Sequence, residues 1–166
     1  SSPRSRAATL ARLKAEAVFN KINSQGSINS QGVIVIGCDQ VLGFEGKPYG
    51  KVESTAQAFE QIKLIQGKTH FLHTATELIF LSSSKNSPQS LSLITDIELR
   101  MRPLSDKEIQ NYIATNEWIG CAGCYRIESL GKNLFEQVQG SDAAIIGLDI
   151  LPLLQSLRSL GVNPLE

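Results

Sequence analysis

A single carboxylate stands directly after a short apolar run in this chain. Val33-Ile34-Val35-Ile36 contains only β-branched apolar residues, and Gly37-Cys38-Asp39-Gln40 follows it. A run of this kind predicts a strand that is buried on both faces. Ligands of open α/β sheets bind beyond the carboxyl ends of such strands, so Asp39 is a candidate for acid–base chemistry or metal binding. A turn or helix-capping Asp is the alternative.

Cationic side chains that could neutralise a phosphate are scattered along the sequence. They are Arg4, Arg6, Lys14 and Lys51. Each of them taken alone is an ordinary surface charge, and Gln40 and Glu128 are equally ordinary when taken singly. The sequence has no Gly-x-x-x-x-Gly-Lys-[Ser/Thr] loop, no Gly-x-Gly-x-x-Gly after a strand and no Gly-x-Ser-x-Gly turn. A phosphate ligand would therefore be held by separate cationic side chains.

Two His and two Cys residues have spacings that a zinc site uses. Two residues separate His70 from His73, and two separate Cys121 from Cys124. The histidines fall in a predicted strand, where side chains three positions apart point to opposite faces. Burial of one histidine and of the small cysteines in the core is therefore the simpler interpretation, and a zinc site is the alternative.

The composition is that of a globular protein. The chain has 166 residues, of which 42% are hydrophobic and 19% charged, a size that fits one domain or two small lobes. The 16 Lys and Arg residues balance the 16 Asp and Glu residues, so no basic surplus indicates nucleic-acid binding.

No apolar run approaches the roughly 18 residues that span a bilayer, and no signal-peptide pattern is present. Three cysteines are typical of a reducing compartment, and we expect a cytoplasmic protein with no membrane or nucleic-acid partner.

The elements that must position these side chains alternate between helices and strands. The predictions are a helix over residues 9–22, a loop over 23–32, a strand over 33–36, a helix capped by Ser54 and Gln57, strands over 70–81 and 91–101 joined by a loop over 82–90, a helix capped by Ser105 and Glu108, and a last helix between Pro152 and Gly161. The two long strands predict an antiparallel pair. This order predicts an α/β or α+β fold with a mixed, twisted sheet flanked by helices.

Several motifs together resemble the Maf family of nucleoside triphosphate pyrophosphatases, and they occur in the order of that family. They are Ser2-Pro3-Arg4, Leu10-Ala11-x-x-Lys14-Ala15, Gly37-Cys38-Asp39-Gln40-Val41, Gly50-Lys51, Leu64-Ile65-Gln66-Gly67-Lys68-Thr69-His70, Arg102-Pro103-Leu104-Ser105 and Cys121-Ala122-Gly123-Cys124-Tyr125-x-Ile127-Glu128. The resemblance covers nearly the whole chain. It implies a single domain over residues 1–166 with two lobes around a central cleft.

The resemblance also implies an activity, which is hydrolysis of a nucleoside triphosphate to the monophosphate and pyrophosphate. A divalent cation, Mg²⁺ or Mn²⁺, and a homodimer are implied with it. Asp39 matches the family's catalytic aspartate and would also be a metal ligand. The positions that match substrate-binding residues are Ser2, Arg4, Arg6, Lys14, Gln40, Lys51 and Glu128. A carboxylate near the α-phosphate can orient and deprotonate water, and the cations neutralise the triphosphate and its leaving pyrophosphate.

Two positions resemble one branch of the family in particular. Asp39-Gln40 together with Glu128 is similar to the branch that acts on 7-methyl-GTP, whereas Asp-Thr with a later Gln is typical of the branch that acts on dTTP and UTP. A carboxylate accepts from the N1–H and N2–H₂ donors of guanine, a pairing that uracil and thymine do not supply. The alternatives are a dTTP/UTP-type pyrophosphatase and a non-catalytic nucleotide-binding regulator of cell division or septum formation.

The N-terminal region departs from the family pattern in two ways. Ser5 stands where the family has a second Arg, and Arg6 follows one place later as its substitute. Family members have several tens of residues, including an acidic pair that helps bind metal, where this sequence has only Ala7, Ala8 and Thr9. We expect that a segment between about residues 7 and 9 is missing from this sequence; the alternative is a true deletion, which would cripple catalysis.

Overall fold

The computed structural model describes residues 1–28, 32–82, 87–163 and 165. Its elements in chain order are α1 (Pro3–Ser24), β1 (Val33–Phe44), β2 (Lys47–Tyr49), α2 (Thr55–Ile65), β3 (Thr69–Leu81), β4 (Gln89–Met101), α3 (Asp106–Ile113), a 3₁₀ turn (Leu130–Leu134), β5 (Phe135–Gln139), α4 (Asp142–Ile146) and α5 (Ile150–Ser159). Parts of the two predicted loops, residues 29–31 and 83–86, lie outside the described residues. None of the described helices is long and apolar enough to cross a membrane.

The five strands form one sheet in the order β2-β1-β3-β4-β5. Every neighbouring pair is antiparallel over the described residues. The α/β class, with a sheet flanked by helices, is confirmed, but the sheet is antiparallel where we predicted a mixed one. The reason is that β2 and β3, which α2 connects, run in the same direction but lie on opposite sides of β1. The alternation of strand, helix and strand therefore does not bring two parallel strands into contact.

The first helix begins earlier than predicted, at Pro3 instead of residue 9, and ends at Ser24. The Ser2 side chain caps it by accepting from the Ser5 backbone N–H at 3.2 Å. Proline suits the first helical position because its missing N–H has no partner to lose there. The helix is continuous through residues 7–9. This continuity does not test whether a segment is missing there, so the expected missing segment stays a prediction.

The first strand is three times longer than predicted and spans Val33–Phe44. Asp39 therefore lies in the middle of β1 instead of after its end. The predicted burial on both faces is also wrong, because the Ile36 side chain is exposed. The ladder with β3 continues past Gly37 and the polar residues that follow it, which we had interpreted as the end of the strand.

Gly37 lets α1 pack directly on β1. A Cβ atom at this position would lie 2.4 Å from the Ala11 carbonyl oxygen and 2.7 Å from the Ala15 backbone nitrogen. Ala7, Ala11 and Ala15 form the buried side of the helix, so small residues on both elements permit the close approach. The glycine after the apolar run therefore marks a helix crossing.

The long hairpin and the helix caps agree with the sequence predictions. β3 and β4 pair as predicted for residues 70–81 and 91–101. Ser105 Oγ accepts from the Glu108 N–H at 3.3 Å, and the Glu108 carboxylate accepts from the Ser105 N–H at 2.8 Å. The hydrogen bonds that the Ser105 N–H and hydroxyl donate to the carboxylate, together with Arg102, lower the pKa of Glu108 to about 2. Ser54 likewise accepts from the Gln57 N–H, at the start of α2.

The core is divided by the sheet. The larger apolar cluster joins α2 and α3 to the face of the sheet that carries Leu42, Leu72 and Ile97. Two smaller clusters lie between α1 and the opposite face, which carries Val41 and Val35. The sheet is thus covered on both sides, and each side chain of β1 faces one of two different environments.

Candidate active site

A cavity of about 350 Å³ opens beside the middle of β1. β2 pairs only with Leu42–Phe44, so within the described residues no strand covers the outer edge of β1 at residues 38–40. Residues 120–123, 125–128 and 145–147, from the loop after α3 and the end of α4, form the facing walls. The cavity therefore lies between the sheet and the C-terminal part of the chain, where backbone and side chains from distant segments meet.

Lys14 and Asp39 meet at one wall of this cavity. Lys14 Nζ donates to Asp39 Oδ1 at 2.5 Å and to the Cys38 carbonyl oxygen at 3.0 Å. The close packing of α1 on β1 at Gly37 sets the distance between the two elements. The side chain of Asp39 is 14% exposed and that of Lys14 is 57% exposed. The ion pair thus holds a largely shielded carboxylate in one orientation at the cavity.

Lys51 and Glu128 line the same cavity from other directions. Lys51 follows the β1–β2 hairpin, and Glu128 lies in the loop before the 3₁₀ turn. Lys51 and Glu128 are separated from Asp39 in the sequence, and the fold brings all three to one cavity, as the resemblance implied. The cavity therefore combines two carboxylates, from Asp39 and Glu128, with the ammonium groups of Lys14 and Lys51.

Gln40 lines the cavity as well, but its amide hydrogens are already used. Its Nε2 donates to Thr74 Oγ1 at 2.8 Å and to the carbonyl oxygens of Ala144 and Ile145, both at 3.0 Å. Thr74 Oγ1 donates to the same Ala144 carbonyl at 2.8 Å. Gln40 therefore ties β1 to the end of α4 and shapes one wall of the cavity.

Arg6 lines a smaller adjoining cavity of about 180 Å³, which Asp39 and Lys51 also line. It lies eight residues before Lys14 in α1, which is about two helical turns, so the two side chains project from one face of the helix. Arg6 and Lys14 thus border neighbouring cavities that share Asp39 in their walls.

Ser2 and Arg4 line neither cavity. Ser2 is occupied as the cap of α1, and Arg4 Nε donates to Asp96 Oδ2 at 3.1 Å. His73 Nδ1 lies 2.8 Å from the other carboxylate oxygen of Asp96. Partial burial raises the pKa of Asp96, but the hydrogen bonds from His73 and Arg4 outweigh it and leave the pKa below its ordinary value. Arg4 therefore links the start of α1 to β4.

The two histidines face opposite sides of β3, as strand alternation predicts. His73 bonds to Asp96 on the α1 side, whereas His70 is fully buried on the other side. His70 Nε2 lies 2.8 Å from Tyr125 Oη, and burial lowers the pKa of His70 to about 4. Tyr125 in turn lines the cavity, and burial raises its pKa well above the ordinary value. The histidines therefore have separate partners.

Sequence reasoning missed one charged side chain that lines the cavity, that of Arg126. Arg126 occupies the variable position of the block Tyr125-x-Ile127-Glu128, so the motif drew no attention to it. The hydrogen bond that Arg126 donates to Cys121, together with the negative charge of an ionised Cys121, raises the pKa of Arg126 above its ordinary value, and Glu128 acts in the same direction. The only available signal was a cation directly beside a motif residue.

The carboxylates of Asp39 and Glu128 are the candidate ligands of a divalent cation in this cavity. The described residues hold no group of three or more His, Cys, Asp or Glu side chains placed to bind a metal ion. Mg²⁺ typically binds through one or two carboxylates and completes its shell with substrate phosphates and water. Asp39, in a cavity that also holds lysines, fits a metal bound together with a nucleotide.

Comparison with known proteins gives consistent matches. The sequence model of the family described as Maf-like protein matches residues 1–160. The "7-methyl-GTP pyrophosphatase" of Bartonella quintana (strain Toulouse) is 41% identical over 131 residues, which are 78% of this chain and 64% of that protein. The "Nucleoside triphosphate pyrophosphatase" of Trichodesmium erythraeum (strain IMS101) is 34% identical over 160 residues, which are 96% of this chain and 76% of that protein. The chain thus spans less than two thirds of the first relative and about three quarters of the second.

Proposed function

This chain belongs to the Maf-like protein family, and from that premise we propose that its cavity binds a nucleoside triphosphate and hydrolyses it to the monophosphate and pyrophosphate. One observation carries the proposal: Asp39, Lys14 and Lys51, from three separate segments of the chain, line a single cavity. The reaction is the one that the names of two relatives describe for those proteins.

The proposed reaction is attack of water on the α-phosphorus. The water oxygen forms a bond to the α-phosphorus while the bond from that phosphorus to the α–β bridging oxygen breaks. The Asp39 carboxylate accepts a proton from the attacking water and passes it to the solvent, and pyrophosphate leaves with the bridging oxygen. Lys14 engages Asp39 Oδ1, which leaves Oδ2 as the oxygen that meets the water.

The cations stabilise negative charge that grows on the phosphate chain as the bond breaks. Lys51 lies in the same cavity as Asp39, and Arg6 borders the adjoining one. Fixed cations in a partly closed site stabilise such charge more than cations in water do, because the surrounding dielectric is lower and no solvent must reorganise. This assigns Lys51 and Arg6 to the phosphate chain and Lys14 to the orientation of the carboxylate.

A divalent cation fits this proposal as part of the substrate complex, with Asp39 as its protein ligand. Mg²⁺ or Mn²⁺ bound in this way would neutralise phosphate charge and increase the acidity of water. The neighbouring ammonium groups of Lys14 and Lys51 limit how many further cations the cavity accepts, which is in keeping with a single carboxylate ligand.

The base that the cavity prefers is, in this proposal, 7-methylguanine. Methylation at N7 gives the base a positive charge, and the Glu128 carboxylate both attracts that charge and accepts from the guanine N1–H and N2–H₂ donors. Glu128 lines the cavity, and the Bartonella quintana relative is named for this substrate. Because the Gln40 amide hydrogens are engaged by Thr74 and α4, Glu128 is the main determinant, and Gln40 supports it by holding the wall.

The decisive experiment follows pyrophosphate release with Mg²⁺ or Mn²⁺ across GTP, 7-methyl-GTP, UTP, dTTP and CTP, with the Asp39→Asn variant as the blank. Running the reaction in H₂¹⁸O locates the attack, since the proposal places the heavy oxygen in the monophosphate. Preference for 7-methyl-GTP that is absent in the blank is the expected result. Activity on pyrimidine nucleotides would overturn the base assignment alone, and nucleotide binding without turnover would favour the non-catalytic regulator.

A further inference from the structure

The cavity holds a third cation, Arg126, to which nothing above assigns a role. Among the other charged residues of the cavity wall, Lys14 and Lys51 are balanced by Asp39 and Glu128. Without Arg126 the wall is therefore electrically neutral, and with it the wall carries one net positive charge. A nucleoside triphosphate is a strongly negative ligand near neutral pH, so the residue that makes the wall positive matters for its affinity.

The backbone of Arg126 is held on both sides. Its N–H donates to Tyr112 Oη at 3.0 Å, and its carbonyl oxygen accepts from the Ser129 N–H at 3.3 Å. A Cβ atom at Gly131 would lie 2.3 Å from the same carbonyl oxygen, so the chain packs closely against it. Glu117 secures the segment further by accepting from the Ser129 hydroxyl at 2.7 Å and the Gly131 N–H at 3.1 Å. The position from which the guanidinium extends is therefore fixed.

The guanidinium itself remains available to a ligand. Arg4, Arg100 and Arg102 each pair with a carboxylate at 3.1 Å or less, whereas Arg126 has no carboxylate within 4.0 Å in the part of the chain that the structure describes. Its close side-chain partner is Cys121, to whose sulfur the guanidinium donates a hydrogen bond. Arg126 is exposed toward the cavity. Arg126 thus has no ion-pair partner among the described residues and keeps further N–H donors for a ligand.

We propose that Arg126 binds the phosphate chain of the nucleotide, an inference that rests on the proposed function. A guanidinium offers only donors in a planar fork, which matches two oxygens of one phosphate. The Watson–Crick edge of guanine presents mainly donors, and the 7-methylated base is positively charged, so both repel an arginine. In this loop, therefore, Arg126 binds the phosphates, and Glu128, two residues later, binds the base.

Binding measurements test this assignment without turnover. The probes are guanosine α,β-methylene triphosphate, whose α–β linkage resists hydrolysis, inorganic pyrophosphate, and guanosine as a ligand without phosphate. Calorimetry measures the first two, and ligand-observed NMR measures the weak binding of guanosine. We expect Arg126→Ala to weaken binding of the triphosphate analogue and of pyrophosphate by about tenfold to a hundredfold, since hydrogen bonds to charged groups have that range of strength. Binding of guanosine should change less than twofold.

Two further variants control the experiment. Arg126→Lys keeps the charge but not the planar fork, so its loss should be smaller than that of Arg126→Ala. Arg158→Ala removes an exposed arginine of α5 that lies outside the cavity, and it should bind all three probes like the wild type. Far-UV circular dichroism of each variant verifies the fold.

The outcomes separate this proposal from the one on which it rests. Unchanged binding of the triphosphate analogue to folded Arg126→Ala would overturn the role of Arg126 alone. An equal loss for guanosine and for the triphosphate analogue would also overturn it, because Arg126 would then contact the base. If the wild type binds none of the three probes, the proposed function fails and the role of Arg126 fails with it.

Discussion

Lys14 Nζ lies 2.5 Å from Asp39 Oδ1, across the contact between α1 and β1. The two side chains come from elements whose separation is set by the packing of Gly37 against Ala11 and Ala15. The second bond of Lys14, to the Cys38 carbonyl oxygen at 3.0 Å, fixes the ammonium group against the strand backbone as well as against the carboxylate. The orientation of Asp39, the proposed general base, thus depends on how closely the first helix packs on the sheet.

Replacing Asp39 with Asn should abolish turnover while nucleotide binding persists. The amide keeps the size of the side chain but cannot accept a proton from water, and general-base catalysis contributes about 10²–10⁴-fold to rates. Pyrophosphate release should fall by at least about a hundredfold. The affinity for guanosine α,β-methylene triphosphate, measured without a divalent cation, should be unchanged or higher because a negative charge is removed. A variant that keeps wild-type turnover would show that another group activates the water.

Replacing Lys14 with Ala should lower kcat more than it raises KM. The substitution removes both bonds that orient Asp39, so the carboxylate samples other positions and meets the water less often. We expect kcat to fall by about tenfold to a hundredfold. Lys21→Ala is the matched control, because Lys21 is an exposed lysine of the same helix outside the cavity. An increase in KM at constant kcat would instead assign Lys14 to substrate binding.

Replacing Glu128 with Gln should change substrate choice more than overall activity. A carboxylate accepts from both guanine donors and attracts the cationic 7-methylated base, whereas an amide repels one donor with its own N–H₂ group. The kcat/KM for 7-methyl-GTP should fall by about tenfold or more, a typical result of removing a charged hydrogen bond. The values for UTP and dTTP should change little. Equal losses for purine and pyrimidine nucleotides would contradict a base-reading role.

The sequence was sufficient for the elements that follow simple periodic or capping rules. The hairpin of β3 and β4 and the cap at Ser105 are where the pattern placed them. The end of β1 was mispredicted because glycine and polar residues within a strand resemble a strand terminus, and only the tertiary contact with α1 explains them. The start of α1 was missed because its N-terminal turn lacks an apolar stripe, although Ser2 and Pro3 are a recognisable cap.

The candidate site was likewise predicted from the sequence only in part. The motif residues Asp39, Lys14 and Lys51 line one cavity, as the resemblance implied. By contrast, Arg4 bonds to Asp96, which lies 92 residues away along the chain, and Gln40 bonds to the Ala144 carbonyl oxygen, which lies 104 residues away. No local pattern records a contact of that separation. Arg126 was missed for the opposite reason, since a motif describes the positions that recur and leaves its variable position unexamined.

Replacing Gly37 with Ala should destabilise the fold and weaken catalysis together. The added Cβ would lie 2.4 Å from the Ala11 carbonyl oxygen, so α1 must move away from β1. Overpacking of this kind typically costs about 1–3 kcal/mol, which urea unfolding measures. Gly50→Ala is the matched control for stability, because a Cβ at Gly50 would meet nothing within 4 Å. Equal stability of the two variants would show that the helix contact is loose.

Burial of His70 should make the stability of the protein depend on pH. His70 is fully buried, its Nε2 bonds to Tyr125 Oη at 2.8 Å, and its Nδ1 has no partner among the described residues. A protonated ring would therefore leave a buried N–H unpaired, which agrees with a pKa lowered by burial from 6.5 to about 4. Between these two values the unfolded chain binds the proton and the folded chain does not, so stability falls as the pH falls from 7 toward 4.

Urea unfolding at pH 7 and pH 5 measures this effect with little interference from carboxylates, whose ordinary pKa values lie lower. From a folded pKa of about 4, we expect the free energy of unfolding to drop by about 2 kcal/mol over this range. His70→Phe, which fills the same space without a titrating ring, should remove most of the drop, and His70→Gln provides a second neutral variant if the first fails to fold. A drop of the same size in a folded neutral variant would show that another group is responsible.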